Sequence, residues 1–467
     1  MHAYQLYRLN RPIAAAIILA VAAMIGALMA PITLTPTINT TAPVTSAAVS
    51  TPANLADPAA RAIATQQHVT LAQAEIRLAW QQAVPSLNVT LSRQLPAAAF
   101  GGIWIAPNDG DRVKIGVVGL TSRVRAMVMR AVHAVGLSGA TDLVPVKYSL
   151  GQLVSADTWL AAQLDKLSLG KTGSIQLDAS YRTDLNRVQL GVAGHHLTPA
   201  DRALISQAEA RYGDLVQVAA QPAGSTVGTS LDCTQAYDLC QPPLRAGIEI
   251  FRLNSQGQPA VGVCTGGFIA SSRTNGTLYQ FTAGHCAVED GTGTWGTEFP
   301  DGTLHAIGTV HNYVLNSSGD EAILNINNPT GWDLPQGWVY VMPGSDTTLN
   351  EEYPISSSQY STVGARVCET GASTGPTSGS LCGTVLRLGV TTCESATTPC
   401  TVVNNLGEAS FCAQPGDSGA PVYAAHQAFG LVAAQAEDLL LGYTCVTYYQ
   451  GIIGAANAMN VNIVLAH

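Results

Sequence analysis

All ten cysteines of this chain lie between Cys233 and Cys445, in the second half of 467 residues. Crosslinks confined to one region constrain the fold before any hydrophobic pattern is read. An even number of clustered cysteines fits disulfides formed in an oxidising compartment. Zinc is the rival reading. No two of these cysteines have the two-residue gap of a zinc knuckle, and only Cys286 has a neighbouring histidine, His285. The expectation is a disulfide-stapled domain with no metal and no cofactor.

Charge divides the chain at the same place. The net charge of -9 conceals a balance of +5 up to residue 225, from 17 basic and 12 acidic residues. From residue 226 onward, five arginines and no lysine face 19 acidic residues, a balance of −14. Two regions that differ this much are expected to be separate domains, and their opposite charges attract. The acidic total excludes a basic nucleic-acid footprint. An apolar fraction of 47% is ample for a packed core.

The expected boundaries are 1–54, 55–225 and 226–467. In the first segment Arg8 and Arg11 precede a charge-free apolar run from Ile13 to Ala30, followed by a Thr/Pro/Ala-rich stretch. That is the form of an export signal. Pro31 opposes cleavage directly after Ala30, and the run also reaches the length of a membrane span. Cleavage further on and retention as an N-terminal membrane anchor both stay open, so the protein is expected to be secreted or held at the cell surface.

The segment 55–225 repeats itself. Asp111 to Gly119 (DRVKIGVVG) matches Asn186 to Gly194 (NRVQLGVAG), and Asp142 to Val146 matches Asp214 to Val218. Each copy reads as helix, hairpin, helix, strand. Thr70 with Gln73 forms a capping-box pattern, after which Ile76 and Trp80 share a helix face. A hairpin follows, with Ile103–Ala106 and Val113–Val118 flanking an Asn-Asp-Gly turn. Ser155 and Thr198-Pro199 are the expected helix starts of copy two. Two small α+β units result. Neither contains a nucleophile or phosphate loop, and the adjacent His195 and His196 read as loop residues.

The cysteine-rich half reads as all β. Short Val/Ile/Leu/Tyr/Thr runs recur between Gly/Ser/Asn/Pro turns, at 246–253, 261–270, 278–283, 321–326, 384–390, 420–424 and 429–434. Only 452–459 looks helical. Two segments there carry chemistry. Phe281-Thr-Ala-Gly-His285-Cys286 ends an apolar run on a histidine beside a cysteine that can pin it. Pro415-Gly-Asp-Ser418-Gly-Ala420 puts a serine in a turn where glycines let backbone N–H groups converge, as an oxyanion hole requires. A serine nucleophile needs a base, and the base a carboxylate to orient it. Asp320, in Gly319-Asp-Glu-Ala-Ile-Leu324, is the best candidate, ahead of Asp301 and Asp333. His285, His305 and His311 have no standard zinc spacing.

The order His, Asp, Ser, with Thr-Ala-Gly-His-Cys and Gly-Asp-Ser-Gly, resembles the chymotrypsin-like serine proteases, closest to the secreted bacterial branch of α-lytic protease and the streptogrisins. Cys368-Glu-Thr-Gly-Ala-Ser-Thr-Gly with Cys382-Gly-Thr, Cys412 to Gly419, and Thr447-Tyr-Tyr-Gln450 carry the likeness over about residues 245–460. It implies two six-stranded β-barrels, preceded by an α+β pro-region of two repeated units. It also implies Ser418 as nucleophile, His285 as general base then acid, Asp320 as orienter, and the Gly416 and Ser418 amides as oxyanion hole. The implied disulfides are Cys264–Cys286, Cys368–Cys382 and Cys412–Cys445; Cys233/Cys240 and Cys393/Cys400 would pair locally.

Departures from the branch bear on specificity. Ala420 replaces the last glycine of Gly-Asp-Ser-Gly-Gly. Ala433 stands where a serine normally supports the aspartate, and Ala434 and Gln435 stand where glycines line the primary pocket. No aspartate occurs at 408–411, which argues against preference for Arg or Lys. Relatives often carry Arg directly after the cysteine occupied here by Cys368; here it is Glu369, with Arg366 a candidate partner for Asp417. The expectation is a secreted serine endopeptidase acting on peptides or proteins, chaperoned and inhibited by its own pro-region, with the cut in the 220–230 linker. The alternative is a weakened or retired homologue that binds peptide or envelope ligands.

Overall fold

The computed structural model describes residues 57–168, 177–193, 197–221, 242–299, 301–341, 352–375, 380–394, 401–438 and 442–466. The apolar run 13–30, His195 and His196, Cys233, Cys240, Cys400, most of the 220–230 linker, and the side chain of Cys393 lie outside them. Among the described residues no helix is long and apolar enough to cross a membrane.

The repeat folds twice into the same sequence of elements. Copy one has helices Pro58–Gln67 and Leu71–Gln94, hairpin strands Phe100–Ala106 and Arg112–Val117, helix Ser122–Ala134 and strand Thr141–Pro145. Copy two has helix Leu150–Ser168, strands Leu177–Arg182 and Arg187–Ala193, helix Pro199–Tyr212 and strand Val216–Gln221. In each, the last strand runs parallel to the second hairpin strand, Thr141–Pro145 beside Arg112–Val117 and Val216–Gln221 beside Arg187–Ala193. Thr70 and Gln73 form the expected capping box, and Thr198 with Asp201 forms another.

The buried stripe of Leu71–Gln94 is Ala74, Leu78, Gln81, Val84, Leu87 and Leu91, and Ile76 is 54% exposed. Gln81 belongs to that stripe because its amide is spent on the backbone of Arg366, donating to the carbonyl at 2.6 Å and accepting from the N–H at 2.7 Å. The helix of copy two starts at Leu150, five residues before Ser155. Ser149 and Gln152 exchange hydrogen bonds there in capping-box fashion, a stronger start than a serine inside an apolar run.

The second half is mostly β, in two large sheets. One has eight strands in the order Val461–Ile463, Ile269–Ser272, Leu278–Thr282, Gly319–Ile326, Leu304–Asn316, Thr294–Glu298, Glu249–Leu253 and Pro259–Thr265. The expected strand 261–270 is in fact two, broken at Gly266-Gly267, where a side chain on either glycine would collide with Gln280 or Leu431. The other sheet has ten strands, and three of them come from copy two. Leu177–Arg182 pairs antiparallel with Leu381–Glu394, Leu388 opposite Tyr181 and Thr391 opposite Ala179. Only Ile452–Ala458 and the short Gly284–Glu289 are helical among the described residues from 380 onward and around His285, respectively.

The repeated units and the β half share a core. One buried cluster runs from Ile63, Leu78, Leu87 and Leu91 to Val367, Val385, Tyr423 and Ala425. Polar contacts border it. Asp57 caps the first helix and accepts from the Tyr353 hydroxyl at 2.5 Å and the Ala425 N–H at 3.0 Å, and Ile105 N–H donates to Val363 O at 2.8 Å. Arg387 lies opposite Glu408 across two strands and reaches Asp178 of copy two. The buried ion pair across this contact therefore has its base on the acidic half and its acid on the basic half, opposite in sense to the net charges.

Candidate active site

The Leu278–Thr282 strand delivers the chain into the turn of helix that holds His285. Gly284 is required there, because a Cβ would sit 1.9 Å from the Val314 carbonyl oxygen. Cys286, fully buried, is bonded to Cys264 and ties this turn to the Pro259–Thr265 strand. Asp320, second residue of Gly319–Ile326, is also fully buried. Its Oδ1 accepts the His285 backbone N–H at 2.7 Å, and its Oδ2 lies 2.8 Å from His285 Nδ1. His285 Nε2 lies 2.8 Å from Ser418 Oγ. The three side chains come from residues 35 and 133 apart in sequence, on separate elements.

The Ser418 turn is held on every side. Gly416 and Gly419 have φ of 102° and 87°, backbone conformations that favour glycine. Thr265 binds the turn twice, its N–H donating to Ser418 O and its hydroxyl to Gly416 O, both at 2.8 Å. Ser373 Oγ donates to Pro415 O at 2.6 Å. The fully buried Asp417 carboxylate accepts from Ser373 N–H at 2.8 Å, Thr374 N–H at 3.0 Å and Gln414 N–H at 2.7 Å. Arg366 is not its partner. The charge that acts on Arg366 is instead that of Asp111 in copy one, and the Arg366 N–H is bound by Gln81 of the same copy.

Three buried carboxyls lie around this machinery, and none makes an ion pair among the described residues. Burial, partly offset by the amide hydrogen bonds, pushes Asp417 up. Burial and then the Asp417 charge hold Glu369 well above the usual carboxylate range. Burial and then the neighbouring Asp320 charge push Glu321 up to about 8. Both Glu321 carboxyl oxygens are buried without a hydrogen-bond partner.

The remaining expected residues fall as follows. Cys368–Cys382 and Cys412–Cys445 are bonded, with Cα atoms 4.0 and 5.4 Å apart. Ala433 is 3% exposed in a cluster with Val390, Val403, Leu406, Val446 and Tyr448, while Ala434 and Gln435 are half-buried on the same strand. Residues given no role from sequence include Thr265, Ser373, Thr374 and Gln450, whose amide oxygen accepts from Asp320 N–H at 3.4 Å. For Thr265 and Gln450 the signal that would have found them is a polar residue at an otherwise apolar strand position; Ser373 and Thr374 lie in a turn and carry no such signal.

No protein-family model matches the chain. Streptogrisin-A of Streptomyces griseus is 30% identical over 205 residues, 43% of this chain and 56% of that protein. Streptogrisin-C of the same organism is 29% identical over 219 residues, 47% of this chain and 40% of that protein. The chain thus spans about half the length of the curated relatives it matches. Among solved structures, Thermobifida fusca protease A is 22% identical over 48% of this chain and 98% of its own, with a TM-score of 0.35. An α-lytic protease homologue, N4, is 24% identical over 47% and 97%, also at 0.35. Over about half its length, then, the chain is similar in sequence to the streptogrisins.

Proposed function

We propose that the protein is a secreted serine endopeptidase, made as a proenzyme and acting through an acyl-enzyme. The observation that carries this reading is the line of 2.8 Å contacts from Asp320 through His285 to Ser418. With Asp320 accepting from Nδ1–H, Nε2 faces the serine hydroxyl with its lone pair. His285 takes the Ser418 proton as Oγ attacks the peptide carbonyl, and returns it to the leaving amine. Water then repeats the cycle on the ester. The amides of Gly416 and Ser418 donate to the oxyanion, and the charge of Asp320 favours the imidazolium formed on the way. Ala433, Ala434 and Gln435 would line the primary pocket, whose glycine-to-side-chain changes suit small substrate residues.

In this reading the two sheets of the second half are the two barrels of the fold, and residues 55–225 are the pro-region. Its support is the shared core and the strand Leu177–Arg182 that continues the β sheet. A β domain of non-local pairings folds slowly, and a template that extends one of its sheets shortens that search.

A fluorophosphonate probe on the secreted protein tests the chemistry. Labelling at Ser418, lost in His285→Ala, is expected. A folded chain that takes no label sinks the protease and leaves the binding homologue.

A further inference from the structure

The disulfide Cys368–Cys382 closes a loop whose residues 369–374 lie against the Ser418 turn. Glu369 is fully buried at its base, and Glu369 Oε1 is 2.8 Å from Thr374 Oγ1. The Thr374 hydroxyl also acts on the Asp417 carboxylate, which two amides of this loop and the Gln414 amide already hold. A hydroxyl has one proton to give. It satisfies Asp417 only if it receives a proton from Glu369, so the arrangement is closed by Glu369 O–H donating to Thr374 Oγ1 and Thr374 O–H donating to Asp417.

We propose, on the serine-hydrolase reading above, that Glu369 is a positioning residue for the Ser418 turn: as a neutral acid it completes a Glu369–Thr374–Asp417 relay that clamps the 369–374 loop onto the turn, and its ionisation loosens the clamp. Once Glu369 is a carboxylate, Thr374 has one proton for two anions. Two negative charges then face each other in a site closed to water, a large cost for each. The turn relieves it by separating from the loop, which moves the Gly416 and Ser418 amides. Glu369 Oε2 is buried without a hydrogen-bond partner, tolerable for the carbonyl oxygen of an acid and costly for half of a carboxylate.

The surrounding groups offer no compensation. Asp417 comes from the turn. From the Pro421–Ala424 strand comes Tyr423, kept neutral by burial and bound to Thr370 Oγ1 at 2.8 Å and Ser380 Oγ at 2.7 Å. On the Leu381–Glu394 strand, Arg387 is taken by Glu408 and Asp178, and on Glu369's own strand Arg366 makes no ion pair with Glu369 or Asp417 and is acted on by the charge of Asp111. No ion pair reaches Glu369 or Asp417 among the described residues. Glutamate at this position makes the brace depend on a proton.

The test compares the full chain with its Glu369→Gln variant, whose amide donates to Thr374 at any pH. Fluorophosphonate labelling of Ser418 and thermal unfolding are both followed with pH. As pH climbs above the ordinary carboxylate range the parent should lose roughly tenfold in labelling rate and its Tm should fall more steeply than that of Glu369→Gln, which keeps only the decline due to Glu321 and holds its labelling within about twofold. A variant that follows the parent down in both readouts overturns the proposal. Should Glu369→Gln fail to fold, Glu369→Met, which cannot ionise, must show the same flattening. A parent that takes no label at any pH defeats the hydrolase reading, and the unfolding curves still judge the brace.

Discussion

Arg387, 2% exposed at its side chain, donates to Asp178 at 2.9 Å and to Glu408 at 2.7 Å, and so joins copy two of the repeat to the β half through one buried guanidinium. The position of this pair between two hydrogen-bonded strands, Leu177–Arg182 and Leu381–Glu394, makes it a register lock as well as an attraction.

Asp178→Asn leaves Arg387 with Glu408 alone and removes one of two buried anions. Removing one partner of a buried pair costs about 3–5 kcal/mol, and the retained Glu408 keeps the expected loss in urea unfolding of the full chain near the lower end. Added salt screens the attraction between the oppositely charged halves but not this pair. Stability of the parent should therefore fall only modestly with salt, and the Asp178→Asn deficit should persist in high salt.

Asp320→Asn keeps a hydrogen-bonding group beside His285 Nδ1 but reverses the tautomer preference. Hydrolysis of a peptide substrate should fall by roughly 10⁴, with far-UV circular dichroism unchanged. A loss below tenfold would remove Asp320 from the proposed role.

Glu321 gives a stability signature separate from Glu369. Its folded carboxyl titrates at about 8, above the ordinary value of 4.5. An acid raised on folding binds its proton more tightly in the folded state, so stability is greatest below the unfolded value and declines as pH climbs from 4.5 to about 8. Glu321→Gln should flatten that part of the Tm profile. An unaltered slope counts against a neutral Glu321.

Gly416→Ala places a methyl group 2.2 Å from Ser373 Oγ at a residue with φ of 102°. The turn must shift, and the Gly416 amide with it. Loss of one oxyanion donor costs about 10²–10³ in kcat, so kcat should drop far more than KM rises. A pure KM effect would detach Gly416 from the oxyanion hole.

Much of this molecule is legible locally. The duplicated helix–hairpin–helix–strand pattern follows from periodicity and caps such as Thr70/Gln73, because those interactions close within a few residues. His285 and Ser418 are legible because their turns need particular neighbours: a glycine where Val314 O approaches, and glycines at positive φ beside the serine. Other features resist local reading. Leu304–Asn316 lacks a clean apolar alternation, since much of it is half-exposed, and it is a strand because both its neighbours in the sheet supply hydrogen bonds. Spacing places Ile76 and Trp80 on one helix face but does not say which face is buried; Gln81 is on the buried one, where it meets Arg366, 285 positions away.

The sequence by itself determined the difference between the two halves, the repeat, the clustered cysteines and a histidine and a serine able to work together. Only the tertiary structure decided that Asp320 meets His285 rather than Asp301 or Asp333, that Arg366 does not pair with Asp417, and that Glu369 and Asp417 share one buried site. Charge order along the chain fixes net attraction, which is a sum over all residues. Pair formation and proton sharing depend on distance and burial, and those exist only once strands far apart in sequence lie side by side.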